Sequence, residues 1–120
     1  MFPGGQNKGP VPRRTKELVY LAVSMTNRCA FCTAAHKAGA RKAGITEDEL
    51  GALETEQDGA LSPEEQVAVS YARELTRTAT VTDAAREALA ARFNDEQVVE
   101  ITLAVAMANF TNRFNNGLGI

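Results

Sequence analysis

Apolar residues recur along this chain at intervals of three and four, and residues that start or stop helices close the runs between them. Leu18, Leu21, Ala22 and Met25 fall at i, i+3, i+4 and i+7, the one-sided stripe of an amphipathic helix, and predict a first helix over residues 13–27. A second is expected from Cys29 to Gly44, with Arg41 and Lys42 in its last turn, where cations meet the negative end of the helix dipole. Thr46 and Glu49 have the spacing of a capping box, which satisfies two backbone N–H groups that a helix start leaves open. They open a short third helix to about Glu54, and residues 55–61, with Asp58-Gly59, read as a loop. Ser62-Pro63-Glu64-Glu65 is a capping serine, a proline where the missing N–H does no harm, and acids in a first turn. Val67, Ala68, Tyr71, Ala72 and Leu75 carry that helix to about Thr78. Thr82 opens a fifth helix to about Phe93, and Asn94 with Gln97 a sixth to about Asn115, ended by Gly117 and Gly119.

No period-two alternation appears. Residues 98–110 are rich in β-branched side chains, but the run is too long for a strand and follows a cap. The expected fold is therefore an all-α bundle of about six helices with an αα-hairpin at its centre. The sixth helix is apolar on two faces, Val98, Ile101, Val105 and Ala108 on one and Leu103, Met107, Phe110 and Phe114 on the other. In a small domain such a helix is either central or shared with another subunit, which points to a homo-oligomer. Residues 1–12 hold three of the four prolines together with Gly4, Gly5 and Gly9. They read as a flexible N-terminal arm, ordered only against a partner subunit, ahead of one helical domain over residues 13–120.

A chain of 120 residues suffices for one hydrophobic core, and 44% apolar and 23% charged residues are ordinary for a globular protein. The net charge of −2 argues against a nucleic-acid or anionic-membrane partner, since both need a basic footprint. The first residues lack the apolar core of a signal peptide, and no run of about 18 apolar residues exists. The expectation is a cytoplasmic protein. Thiols are kept reduced there, so a cysteine pair reads as catalytic or metal-binding before it reads as a staple.

That pair lies in Cys29-Ala30-Phe31-Cys32-Thr33-Ala34-Ala35-His36. Positions i, i+3 and i+7 share one helix face, so Cys29, Cys32 and His36 form a stripe. A thiol near a helix start meets unpaired N–H groups and the positive end of the dipole, which favour the nucleophilic thiolate. A second thiol three residues away can close a disulfide. His36 can take the proton from Cys32 or, once protonated, stabilise its thiolate. This set suits two-electron thiol redox: a peroxide oxidises one cysteine to a sulfenic acid, its neighbour condenses to a disulfide, and an external dithiol restores the pair. Cys32, nearer His36, is the candidate attacking thiol and Cys29 the resolving one. No flavin, haem or other cofactor is implied.

Glu17, Cys29, Cys32 and His36 together spell E-x11-C-x2-C-x3-H. This pattern, with residues 17–24, 38–44 and 109–115 around it, resembles the alkylhydroperoxidase D-like proteins of the carboxymuconolactone decarboxylase superfamily, over about residues 13–119. The resemblance implies an all-helical homotrimer or homohexamer that reduces hydroperoxides through the cysteine pair, the second cysteine attacking. It implies a proton relay through Glu17 and His36, and re-reduction by a dithiol such as protein-bound dihydrolipoamide. Decarboxylase members typically lack the cysteine pair, so that activity is not carried over. The family's best-studied pattern has a histidine directly before the second cysteine; this chain has Phe31, expected to pack or to wall the site.

Two other readings stand beside this one. The pair can serve a general disulfide reductase or redox sensor without peroxide specificity. It can also belong to a zinc-binding or structural oligomer. Structural zinc takes four ligands, and two cysteines and one histidine need Glu17 or a second copy to complete the set.

Overall fold

The computed structural model describes residues 9–120. Six helices follow one another: α1 (Arg13–Thr26), α2 (Ala30–Lys42), α3 (Glu47–Thr55), α4 (Pro63–Thr78), α5 (Asp83–Arg92) and α6 (Asp95–Leu118). No strand occurs among the described residues, and the fold is all-α. The caps explain most of the boundaries. Thr46 with Glu49, Ser62 with Glu65 and Asn94 with Gln97 each form a full capping box, and the Thr82 hydroxyl accepts the Ala85 N–H. Each such cap is worth about 1 kcal/mol. Gly44, just past α2, takes a left-handed φ of 89° that a side chain would strain, so the helix stops there.

Three local differences from the sequence pattern appear. Cys29 lies outside α2, as its N-cap, with its sulfur accepting the Cys32 N–H at 3.3 Å. Residues 55–61 contain a 3-10 turn (Asp58–Ala60), where Arg73 from α4 grips the Asp58 carboxylate at 2.5 and 3.0 Å and the Leu53 carbonyl at 3.3 Å. Finally, α6 runs on through Gly117 to Leu118.

The central helix is α1, which packs against α4, α2 and α6. Its buried residues face two ways. Val19 and Val23 join Ala68, Ala72, Leu89, Phe93, Ile101 and Val105 in one cluster, while Leu18, Leu21 and Ala22 join Ala40, Ile45, Leu50, Leu53 and Val69 in another. Full burial of each large aliphatic side chain contributes about 1.5–3 kcal/mol, so α1 anchors both halves of the bundle. The second apolar face of α6 is not central: Val99, Leu103, Met107, Phe110, Phe114 and Leu118 are all exposed. Within the expected N-terminal arm, the described residues are tied down. Val11 is buried and gives its N–H to Glu100 at 2.9 Å, and Gln97 donates to the Gly9 carbonyl at 3.1 Å. The remainder of that expectation, residues 1–8, lies outside the described residues. Among the described residues no helix is long and apolar enough to cross a membrane.

Candidate active site

The cysteine pair hangs on the corner between α1 and α2. The chain leaves α1 at Thr26 and turns through Asn27 and Arg28, and Arg28 takes a left-handed φ of 55°. A non-glycine residue there costs roughly 1 kcal/mol, and the surroundings over-determine the turn. The Cys29 N–H donates to the Ser24 carbonyl at 3.0 Å. Asn27 Nδ2 donates to Asn109 Oδ1 at 2.9 Å and to Asn112 Oδ1 at 3.0 Å. Asn112 Nδ2 donates to Ser24 Oγ at 3.1 Å, and Asn116 Nδ2 to the Asn27 carbonyl at 2.9 Å. Three amides on one side of α6 thus clamp the corner, and Ser24 and Asn112 are wholly buried.

Held in this way, Cys29 sits at the head of α2 with Cys32 one turn in. Their Cα atoms are 5.3 Å apart and their sulfurs are joined in a disulfide. The helix N-terminus favours negative charge on either sulfur once the bond is opened. Cys29 is fully covered and Cys32 nearly so. A cleft of about 530 Å³ beside the corner, walled by Met25, Arg28, Ala30, Thr33 and Lys37, includes Cys29 in its lining.

One turn beyond Cys32, His36 presents Nδ1 to Glu17 Oε2 of α1 at 3.3 Å. The ring of Tyr20, also from α1, stacks on the imidazole with centroids 4.6 Å apart. Burial, helped by the neighbouring Glu17 carboxylate, pushes the Tyr20 phenol above its ordinary pKa. Gly39 leaves room for the Glu17 carboxylate: a Cβ at that position would stand 3.2 Å from Glu17 Oε1, and the carboxylate would have to give by a few tenths of an ångström. The structure therefore brings the four singled-out residues together as two pairs, Cys29 with Cys32 and Glu17 with His36. Among the described residues the side-chain donor to the Cys32 sulfur is Asn115, at 3.3 Å, rather than His36. Among those residues, too, no three His, Cys, Asp or Glu side chains converge as a metal-ligand set.

Residues 2–74 match the model of the Carboxymuconolactone decarboxylase family. The chain belongs to that family. A Bacillus subtilis relative, the uncharacterized protein YdfG, is 31% identical over 112 residues, covering 91% of this chain and 76% of its own length. The uncharacterized Escherichia coli protein YnjA is 29% identical, covering 100% of this chain and 68% of YnjA. Among solved structures, ATU0492 from Agrobacterium tumefaciens, of unknown function and provisionally described as the antioxidant defence protein AhpD, superposes with a TM-score of 0.76 at 30% identity, covering 87% of this chain and 73% of that one. An uncharacterized peroxidase-related protein from Silicibacter sp. TM1040 superposes with a TM-score of 0.80 at 26% identity, covering 89% of this chain and 58% of that one. This carboxymuconolactone decarboxylase family member is AhpD-like in fold.

In the sequence of this family member Tyr20, Ser24 and Asn27 are close enough to touch the site, but nothing there separates them from polar residues that face water. The structure stacks Tyr20 on His36, buries Ser24 and bonds Asn27 to α6. The asparagines of α6 carry a signal of their own: positions 109, 112 and 116 lie at i, i+3 and i+7 on a helix that is otherwise apolar on two faces. Phe31 does not wall the site; it is 58% exposed.

Proposed function

We propose that this protein is a thiol peroxidase that reduces hydroperoxides through a Cys29–Cys32 dithiol–disulfide cycle. The carrying observation is the pairing itself: two sulfurs bonded at the head of α2, with an imidazole one turn further on that is hydrogen-bonded to a carboxylate of α1. The Cys32 thiolate attacks the terminal oxygen of ROOH, the O–O bond breaks, and a proton delivered through His36 and Glu17 leaves the product as an alcohol. Cys32 is then a sulfenic acid. The Cys29 sulfur attacks it, the S–S bond forms, and the hydroxyl departs as water with the Cys29 proton. An external dithiol, such as a protein-bound dihydrolipoamide, restores both thiols by exchange.

The test is steady-state peroxide consumption with a dithiol donor. Wild type should turn over repeatedly, Cys32→Ser should lose all turnover, and Cys29→Ser should accumulate a sulfenic acid that dimedone traps. An unchanged rate in Cys32→Ser would sink the mechanism. A wild-type protein that is oxidised once and then stops would favour the redox-sensor reading.

The same reading includes assembly as a homotrimer or homohexamer. The exposed stripe from Val99 to Leu118 on α6 supports it, being a longer apolar row than lone chains normally show to water. Light scattering should give three or six chain masses, and Phe110→Glu should lower that number. A monomeric wild type would remove this part of the proposal.

A further inference from the structure

The Cys32 sulfur has a polar neighbour that the dithiol cycle above does not use. Asn115, on the last turns of α6, directs Nδ2 at Cys32 Sγ from 3.3 Å. The orientation follows from chemistry: a disulfide sulfur has no proton to give, so only the NH2 side of the amide can face it. The placement is built in. Asn112, one turn earlier, is locked to Ser24 and Asn27, and Asn116, the next residue, is locked to the Asn27 carbonyl. The turn of helix that carries Asn115 is therefore pinned to the corner that carries the cysteines. Cys32 is almost wholly buried, so water cannot readily replace the amide as a donor. Cys29 has a different partner, the Cys32 backbone N–H at the helix head. Each sulfur thus has its own donor.

We propose that Asn115 is a catalytic residue whose amide N–H stabilises negative charge on the Cys32 sulfur, both when that sulfur attacks and when it leaves. The proposal deepens the dithiol reading and rests on it. In the oxidising half, the amide holds Cys32 as the thiolate that opens the O–O bond. In the reducing half, a reductant thiolate bonds to the Cys29 sulfur, the S–S bond breaks, and the electron pair goes to Cys32 as a thiolate facing Asn115. The second thiol of the dithiol then displaces Cys29, leaving the reductant oxidised to its own disulfide. A better-stabilised leaving thiolate leaves faster.

The test compares Asn115→Leu and Asn115→Asp with wild type as full chains. The fully reduced proteins are alkylated with iodoacetamide across a pH series, and mass spectrometry assigns the label to Cys32. Loss of the donor in Asn115→Leu should raise the Cys32 pKa by about one unit, a roughly tenfold slower alkylation below that pKa. Asn115→Asp, nearly isosteric but anionic, should raise it further, because a carboxylate repels the thiolate. A purely structural role predicts the reverse order, with the isosteric variant closer to wild type. Reduction of the disulfide by dithiothreitol should slow in the same order. Where Asn115→Leu fails to fold by circular dichroism, Asn115→Ala, which removes the donor without adding charge, takes its place and should raise the Cys32 pKa in the same direction. An unchanged Cys32 pKa in a folded variant overturns the proposal. Neither readout needs peroxide: a wild type that consumes none, with the pKa shifts present, refutes the peroxidase reading and leaves the Asn115–Cys32 contact standing.

Discussion

The two ends of α1 are fastened by different chemistry. At its N-terminal end Arg14 bonds the Glu49 and Glu65 carboxylates and the Gly44 carbonyl, and Lys16 pairs with Glu100. At its C-terminal end Ser24 and Asn27 are held by the uncharged amides of Asn109, Asn112 and Asn116, with Arg113 touching only the outer rung at Asn109. The ionic end lies away from the sulfurs and the neutral end carries them. An ion pair owes its strength to charge state and screening, whereas an amide–amide bond depends on neither. A frame of neutral amides keeps its geometry whatever charge the sulfurs bear, and adds no fixed charge that would bias their ionisation.

The comparison breaks most visibly at Asn112. Asn112→Ala removes two hydrogen bonds and leaves the buried Ser24 hydroxyl and the Asn27 amide each one partner short. The expected loss is about 2–3 kcal/mol, read by urea unfolding, with faster hydrogen exchange at the Cys29 amide. A loss well under ~1 kcal/mol would mean that the amide ladder does not hold the corner. Arg14→Met should cost less, about 1 kcal/mol at neutral pH and low salt, because Glu49 and Glu65 keep their capping bonds to Thr46 and Ser62. That loss should shrink with added salt, while the Asn112→Ala loss should not.

How much of this was legible beforehand follows the range of the interactions. Capping is local, so Thr46 with Glu49, Ser62 with Glu65 and Asn94 with Gln97 declared their helices from spacing alone. Cys32 and His36 share α2 and Cys29 caps it, so one helical periodicity brings the three together in the sequence. Glu17 needed a resemblance, because eighteen residues and a corner separate it from His36. The α6 asparagines show their helical spacing in the sequence but not their partners: Asn27 and Asn112 meet across 85 positions, and a polar residue on a helix is ordinarily solvated. The centrality of α1 was missed for a related reason. A stripe is visible at Leu18, Leu21, Ala22 and Met25, but Val19 and Val23, on the other side, are buried in a cluster formed with residues of α4, α5 and α6. For Val11 the neighbouring prolines and glycines masked an apolar side chain that α6 receives.

The smallest and sharpest difference between the two ends of α1 is their response to acid. The hydrogen bond from Arg14 holds the Glu49 carboxyl below the usual carboxylate range against an opposing push from burial. At Glu65 burial is the largest influence and acts upward, yet Arg14 and the Ser62 N–H together outweigh it and leave that carboxyl lowered too. A carboxyl whose pKa is lower folded than unfolded contributes stability that is present above the unfolded value, about 4.3, and lost as pH falls through the folded one. The stability difference between wild type and Arg14→Met should therefore hold from about pH 7 to 5 and narrow below about pH 4 as both carboxylates take protons. The difference between wild type and Asn112→Ala should stay level over the same range, since no group in the Ser24–Asn27–Asn112 contacts titrates there. Parallel unfolding series at stepped pH read both differences at once. If they narrow together, charge matters at both ends and the division between an ionic fastening and a neutral one is wrong.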